Sequence, residues 1–475
     1  MEEIVEERLK KLQALREKKP VQGFLYCHTI EDVLADFKPE RKISTAGRVI
    51  FFRSHGKAIF CDLKDSSDKI QIYIKSDFVD PEDFVLFKYI DIGDILGVEG
   101  ETFLTKTGEP TIKVTKFYLL AKSLRPLPEK WHGLKDIEKR YRHRYLDLIS
   151  NDKVKDVFLM RSKIISFIRS FLDSKGYLEV ETPILHPIPG GAAGQPFKTH
   201  HNELNLDLFL RIAPELYLKR LLVAGLPKVY EINKNFRNEG ISTKHSPEFT
   251  MLEVYSSYAT YQDTMELCEE LICLLAKEIF KKEEFNYQGK VIDLKRPWQR
   301  RSFSSVLKEK FGISPRDSSE EMIEKLKRRE KTLPKERLTR SQVIKIAEEI
   351  LEEESFYSPV FFVDYFTFLC PLAKRKEDDP NLSERFELFV GGMEIANAYT
   401  ELNDPVEQRK RFLEELKELP NDKLQTIDED FIEALEYGMP PAAGLGIGID
   451  RLIMLFTDQP SIRDVILFPL LRPKE

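Results

Sequence analysis

Five short runs between residues 44 and 121 alternate apolar and polar side chains: STAGRVIFF, AIFCDL, KIQIYI, DILGVEG and TIKVTKFYLL. A period of two belongs to strands with one buried face, and SHGK, KDSSD and KTGEP form turns, so five β-strands are predicted. DPEDFVLFKYI, between the third and fourth runs, predicts a short helix. Upstream, Ile4, Val5, Leu9, Leu12 and Leu15 stand among charged residues at helical spacing, as in a surface helix packed on the domain that follows. Past residue 146 the pattern becomes mixed. The helical periods of SKIISFIRSFLDSKG, ELYLKRLLVAG and MELCEELICLLAKEIF alternate with the strand-like KVYEI, FTMLEVY, FELFV and MEIANAYTEL, which predicts a large α+β domain. LRPLPEKWHG, at 124–133, reads as a linker, and the basic KDIEKRYRHR after it as a solvated helix face. The expected organisation is a helix plus β-domain at 1–123, a linker at 124–145 and the α+β domain at 146–475. Residues 318–354 form a highly charged helical surface subdomain within the last.

Three strands, a helix and two strands is the order of an OB-fold barrel, whose face binds single-stranded nucleic acid or sugar. A net charge of −6 means that nucleic acid would be held by particular patches rather than by the whole molecule. With 42% hydrophobic and 32% charged residues, no apolar run near the ~18 residues of a membrane span and no signal-type apolar core in MEEIVEERLKKLQ, the expectation is a cytoplasmic protein without a membrane. Cys27, Cys61, Cys268, Cys273 and Cys370 form no CxxC pair, so reduced thiols are expected, without a zinc site or disulfide framework.

Candidate chemistry concentrates after residue 186. FRNEGISTKHSPEF joins two strand-like runs through a loop far longer than a reversal needs, with Ile241 its only aliphatic side chain. GLGIGIDR leads into the helical RLIMLF; its glycines alone suit a simple strand-to-helix turn, but Arg451 at a helix start opposes the dipole and calls for an anion. No G-x-x-x-x-G-K-[ST] occurs, so no P-loop holds a nucleotide. Arg237 and Arg451 suit bidentate contact with phosphate or carboxylate. Strand alternation puts Phe249, Met251, Glu253 and Tyr255 on one face. Gly391-Gly392 predicts a tight hairpin in which Glu394 faces Phe389 and Glu387 lies diagonally across from Glu394, about 7–8 Å away, a like-charge pair that a divalent cation bridging phosphate would relieve. Parity sends Asn397, Tyr399 and Glu401 to the opposite face unless a bulge intervenes. Glu215, just after Pro214 at a helix start, is explained by the helix dipole alone.

Together these segments resemble the class II aminoacyl-tRNA synthetases, most closely the lysyl-tRNA synthetases. KGYLEVETPIL, containing Pro183, is similar to the family's first motif, FRNEGISTKHSPEFTMLEVY to the second and GLGIGIDR to the third. IPGGAAG, LRIAPELYLKR, FELFVGGMEIANAYTELNDP and IRDVILFP extend the likeness over nearly the whole chain. The resemblance implies a homodimer built on the first motif, and an antiparallel catalytic sheet with flanking helices behind the OB-fold. It implies a ligase that activates L-lysine with ATP to lysyl-adenylate and pyrophosphate, then passes lysine to its cognate tRNA. Arg237 would contact the α-phosphate and the amino-acid carboxylate, Arg451 the γ-phosphate, and Phe249 would stack on adenine, with Glu239 and His245 also lining the nucleotide. Glu387 and Glu394 would hold Mg²⁺. Gly191 and Glu215 would surround the α-amino group, and Glu253, Tyr255, Asn397, Tyr399 and Glu401 the side chain. On the barrel, Arg53, Phe60, Gln71 and Glu109 would read the anticodon, although the pattern alone allows Phe60 to be barrel core.

Acidic residues in the pocket favour an ammonium side chain, whereas a pocket for aspartate needs a cation. Three other readings stay open on the sequence: an aspartyl- or asparaginyl-type synthetase, a paralogue that attaches lysine to protein and lacks the barrel, and a catalytically silent tRNA-binding protein. Two departures from the family pattern stand near the site. Gly194-Gln195 replaces an alanine and an arginine, and Phe366 and Cys370 replace a proline and a serine.

Overall fold

A computed structural model describes residues 1–18, 24–128, 136–192, 194–328, 338–353, 356–418 and 427–473. Part of the expected linker (129–135), Ala193 of IPGGAAG and the middle and end of the charged segment (329–337, 354) lie outside them. The chain divides into two units, Met1–Lys135 and Asp136–Glu475.

In the first unit the five alternating runs become β1 (Lys42–His55), β2 (Ala58–Lys64), β3 (Lys69–Lys75), β4 (Ile95–Leu104) and β5 (Pro110–Ala121). They close into a barrel in the order β1-β2-β3-β5-β4, with β3 and β5 parallel. Closure removes the free edges and buries every second residue: Ile59, Cys61 and Leu63 of β2 and Ile70, Ile72 and Ile74 of β3 all point inward. The helix Pro81–Phe87, started by Asp80 whose side chain accepts from Glu82 N, adds Phe84, Leu86 and Phe87 to the same core. The amino-terminal helix, Glu2–Lys18, contributes Leu15.

After three helices, Ile137–Arg142, Arg144–Ser150 and Asp152–Ser174, the second unit continues with β6 (Leu178–Glu179) and a small sheet of β7 (Leu185–His186), β8 (Lys198–His201) and β9 (Leu206–Leu210). Next come β10 (Lys228–Phe236), β11 (Glu248–Ser257) and the hairpin β12 (Glu284–Tyr287) and β13 (Lys290–Asp293). They are followed by β14 (Gln299–Ser302), β15 (Val360–Phe366), β16 (Leu382–Val390), β17 (Met393–Thr400) and β18 (Ala442–Gly448). Eight strands form one sheet, β14-β15-β16-β17-β18-β11-β10-β6, antiparallel except at its two ends. Leu252, Val254, Ala396, Ala398, Leu445 and Ile447 on one face pack against the helices Asp152–Ser174, Tyr261–Leu275 and Ile449–Phe456. The alternate residues of the same strands line the opposite face.

Two sequence expectations change. The basic run KDIEKRYRHR is not simply a solvated face: Tyr141 is buried, and Arg144, fully buried, donates to Asp147 Oδ2 at 3.1 Å and to the carbonyls of Arg463 and Leu467 at 2.6 and 3.1 Å. Residues 136–145, grouped with the linker on composition, therefore pack within the second unit. The charged segment likewise supplies core, because Met322, Leu326, Val343, Ile344 and Ala347 pack with Phe303 and Phe362. Glu324, Lys327, Lys345 and Glu349 on the helices Ser319–Lys327 and Arg340–Glu353 are exposed.

Candidate active site

The long loop between β10 and β11 is held by its own backbone and by a side-chain bond to the Gly391-Gly392 turn. Arg237 N donates to Pro247 O at 2.9 Å, Ser242 N to His245 O at 3.1 Å, and Lys244 Nζ to Gly392 O at 2.9 Å. The Arg237 guanidinium lies 5.1 Å from the centre of the Phe249 ring, and its buried Nε finds no protein acceptor. Burial lowers this arginine, and Glu239, Glu394 and Glu253 oppose that effect. A buried donor of this kind suits an anion. Gly194 has a physical role here: a Cβ at that position would stand 3.1 Å from Arg237 Cδ, so the departure to glycine leaves the arginine room.

Arg451, in the first turn of Ile449–Phe456, finds its anion in the hairpin. Nη1 donates to Glu394 O at 2.8 Å and to Glu394 Oε2 at 3.1 Å, while Nη2 meets His245 Nε2 at 3.3 Å. Burial, and then Arg451, lower His245, which fits a neutral ring accepting at Nε2. Glu239 is exposed on the loop.

The hairpin carries the bulge that the sequence left open. Phe389 pairs with Glu394 but Leu388 pairs with Ala396, so Ile395 is the extra residue. Beyond it Glu387 pairs with Asn397 and Arg385 with Tyr399, and cross-strand partners share a face. One inserted residue thus brings Asn397 and Tyr399 to the side of Glu387, where simple alternation placed them opposite. The two carboxylates are each met by an arginine: Glu387 by Arg385, with Tyr365 OH donating to it at 2.9 Å, and Glu394 by Arg451. The like-charge strain expected between them is relieved within the chain.

Behind the arginines lies a buried acidic pocket, part of a cleft of about 1080 Å³. Glu215 is not merely a helix-dipole residue. Its Oε1 accepts from Lys219 Nζ at 2.7 Å and from Tyr399 OH at 2.5 Å. Lys219 Nζ also meets Glu401 Oε2 at 2.5 Å, whereas Glu401 Oε1 has no partner. Tyr255 OH donates to Glu253 Oε2 at 3.2 Å. Burial pushes Glu253 up to about 8, with Glu215 adding to it, and burial raises Glu401 against the pull of Lys219. Gly191, at φ +84°, bends the loop against this helix; a Cβ there would lie 3.1 Å from Glu215 Cβ. The glycines of GLGIGIDR form the floor: a Cβ on Gly444 would stand 2.5 Å from Tyr255 Cε1, and one on Gly446 3.1 Å from Met251 Cε. They permit close approach rather than merely turning the chain.

On the barrel, Arg53 pairs with Phe60 and Phe60 with Tyr73, so the three stand side by side across β1, β2 and β3. Phe60 is half-buried and its ring lies 4.7 Å from that of Tyr73, outside the core formed by Ile59 and Cys61. Gln71, on the same face of β3, donates to Glu109 Oε2 at 3.2 Å and accepts from Thr111 Oγ1 at 3.0 Å. The four sequence candidates thus form one patch, to which the structure adds Tyr73.

Residues 136–472 match the family of class II tRNA synthetases (D, K and N), and residues 43–120 match the OB-fold nucleic acid binding domain. The chain belongs to the class II tRNA synthetases. It is 51% identical, over 100% of its length and 99% of theirs, to the lysine--tRNA ligase of Carboxydothermus hydrogenoformans. It is 52% identical to that of Pelotomaculum thermopropionicum, over 100% and 96%, and 48% identical to that of Thermotoga maritima, over 100% and 97%.

Three residues of this class II synthetase site escaped the sequence reading. Lys219 lies four residues after Glu215, a helical ion-pair spacing that was a usable signal. Arg385 lies two residues before Glu387 on one strand and so shares its face. Asp450, beside Arg451, accepts from Thr250 N at 2.7 Å and from Arg161 Nη1 at 2.6 Å, tying the third motif to the second; only the assembled sheet reveals that. Among the described residues no group of three or more His, Cys, Asp or Glu could hold a metal. Glu387 and Glu394 offer two hard carboxylates, a donor set that fits Mg²⁺ when substrate phosphates complete the shell.

Proposed function

We propose that this chain is a lysine--tRNA ligase acting on L-lysine, ATP and a lysine tRNA. The observation that carries the reading is the make-up of the buried pocket. Glu215, Glu253 and Glu401 bring three carboxyl groups against the single ammonium of Lys219, so two further positive charges are needed once all three are ionised. Lysine supplies two ammonium groups, whereas aspartate and asparagine supply one and would leave a buried carboxylate unpaired.

In this reading Gly191 and Glu215 receive the α-ammonium. Glu253, Glu401 and the Tyr255 hydroxyl receive the ε-ammonium, with Asn397 and Tyr399 as the pocket wall. Arg237 holds the lysine carboxylate against the ATP α-phosphate, Phe249 stacks on adenine, and Glu239, His245 and Arg451 hold the rest of the nucleotide. The carboxylate oxygen attacks the α-phosphorus, the bond to pyrophosphate breaks, and lysyl-adenylate forms. A ribose hydroxyl of the tRNA terminus then attacks the acyl carbon and AMP leaves. No protein nucleophile is required; positioning and charge stabilisation supply the rate. Mg²⁺, held by Glu387 and Glu394, would neutralise charge on the phosphates. Arg53, Phe60, Gln71 and Glu109 would read the anticodon.

Exposed Leu178, Ile184 and Leu185 around the first motif support a homodimer through that segment. No helix among the described residues is long and apolar enough to cross a membrane. As an enzyme that charges tRNA, it is placed by this reading in the cytoplasm.

Amino-acid-dependent ATP–pyrophosphate exchange with each of the twenty amino acids and Mg²⁺ tests the reading. Lysine alone should support exchange, and norleucine, its uncharged analogue, should be rejected by about 10⁴-fold or more. Exchange with aspartate or asparagine would overturn the pocket assignment within the class. None at all would favour a silent tRNA-binding protein.

A further inference from the structure

Lys219 is fully buried and contacts two carboxylates of the pocket. Its ammonium lies 5.5 Å from the centre of the Tyr399 ring and 6.0 Å from that of Phe431, so aromatic faces surround the side not taken by carboxylates. We propose that Lys219 is a positioning residue for amino-acid selection: a built-in ammonium that bridges Glu215 and Glu401 and holds both in place, so that the pocket, once its carboxyls are ionised, demands two further positive charges and not three. This deepens the ligase reading and rests on it.

The geometry gives Lys219 a division of labour. Its Nζ engages Glu215 Oε1 and Glu401 Oε2, while Glu401 Oε1 has no hydrogen-bond partner and Glu253 is met by the Tyr255 hydroxyl. A bare lysine at this depth would shed its proton; burial acts in that direction, but the two carboxylates outweigh it and keep the ammonium charged. The groups facing the cluster come from every element around it. Glu215 stands on the helix Glu215–Val223, Glu253 and Tyr255 on β11, Asn397, Tyr399 and Glu401 on and after β17, and the Cys370 thiol on the loop after β15. Nearby Arg385 is committed to Glu387 and Glu231 to Arg211, while Arg237 stands towards the nucleotide side. None of these replaces Lys219 as counter-charge to both Glu215 and Glu401.

The test is the pH dependence of KM for lysine in exchange by the full-length protein, wild type against Lys219→Met. An ammonium ligand needs the pocket carboxylates deprotonated. In wild type KM should therefore fall as pH rises towards about 8, where Glu253 and Glu401 titrate, and then level off. Without Lys219, which pulls Glu401 down, Glu401 holds its proton longer, and the fall should move upward by about one pH unit, which at fixed pH below it is about a tenfold higher KM. KM for ATP and kcat at saturating lysine should stay near wild type. A packing role alone would lower the melting temperature or the active fraction without moving the profile. Coincident profiles overturn the proposal. If Lys219→Met does not fold, Lys219→Gln, which keeps a hydrogen-bond donor, carries the same expectation, and failure of both to fold assigns Lys219 a purely structural role against the proposal. A wild type inactive with lysine would instead refute the ligase reading, so the two failures are distinguishable.

Discussion

Replacing Gly444 by alanine should separate the amino-acid pocket from the rest of the machinery. Gly444 lies on β18 between its cross-strand partners Tyr255 and Tyr399, beneath the Glu401 carboxylate. The added methyl would sit 2.5 Å from Tyr255 Cε1 and 3.0 Å from Cδ1, and would also clash with Glu401 Oε1. Carbon atoms pack at about 3.5–4.0 Å, so the Tyr255 ring must recede by about 1 Å. Its hydroxyl donates to Glu253, so the carboxylate shifts with it. A displacement of that size costs about 100-fold in the reaction it positions, and overpacking a filled site costs about 1–3 kcal/mol of stability. Exchange kinetics should show KM for lysine raised by up to about 100-fold with KM for ATP unchanged, and thermal melts a moderate loss. Gly446→Ala is the internal control: its Cβ would meet the flexible end of Met251 at 3.1 Å and Glu253 Oε1 only at 3.6 Å, so lysine binding should change little. An unaltered KM for lysine in Gly444→Ala, or an equal loss in Gly446→Ala, would refute the reasoning.

Two further outcomes are expected. Glu253, pushed up to about 8 by burial, keeps its proton in the folded chain over pH 4.5–8 while the unfolded chain releases it. Its contribution to stability is thus full below about 4.5 and is lost as pH rises towards 8. The melting temperature of the ligand-free protein relative to Glu253→Gln should fall across that window, and a constant difference would argue against a titrating Glu253. Phe60→Ala should raise KM for tRNA by about fivefold to 150-fold, the worth of one base stack of about 1–3 kcal/mol, and leave exchange untouched. An unchanged KM for tRNA would remove Phe60 from the RNA-binding face.

The sequence by itself determined a good deal. Alternation in KIQIYI and AIFCDL dictated the barrel strands, because a strand with one buried face has no other pattern. Gly391-Gly392 fixed the hairpin turn, both glycines taking the positive φ that such turns require. The three motifs pointed to the family, since each is a contiguous stretch whose residue types suit phosphate and carboxylate contacts. Arg237, Phe249, Glu253 and Tyr255 were legible because they sit on one strand and the loop leading into it.

Only the tertiary structure decided what lies between those stretches. The bulge at Ile395 reversed the face of Asn397 and Tyr399, and nothing in MEIANAYTEL marks it, because a bulge is settled by how the neighbouring strands accept one extra residue. Lys219 joined Glu215 and Glu401, which are 186 residues apart in the chain. The glycines of β18 acquired their function from the tyrosine and carboxylate packed above them. Periodicity reports which way a side chain points relative to its own element. What it then meets, and whether its charge is balanced, depends on long-range contacts that local pattern does not encode.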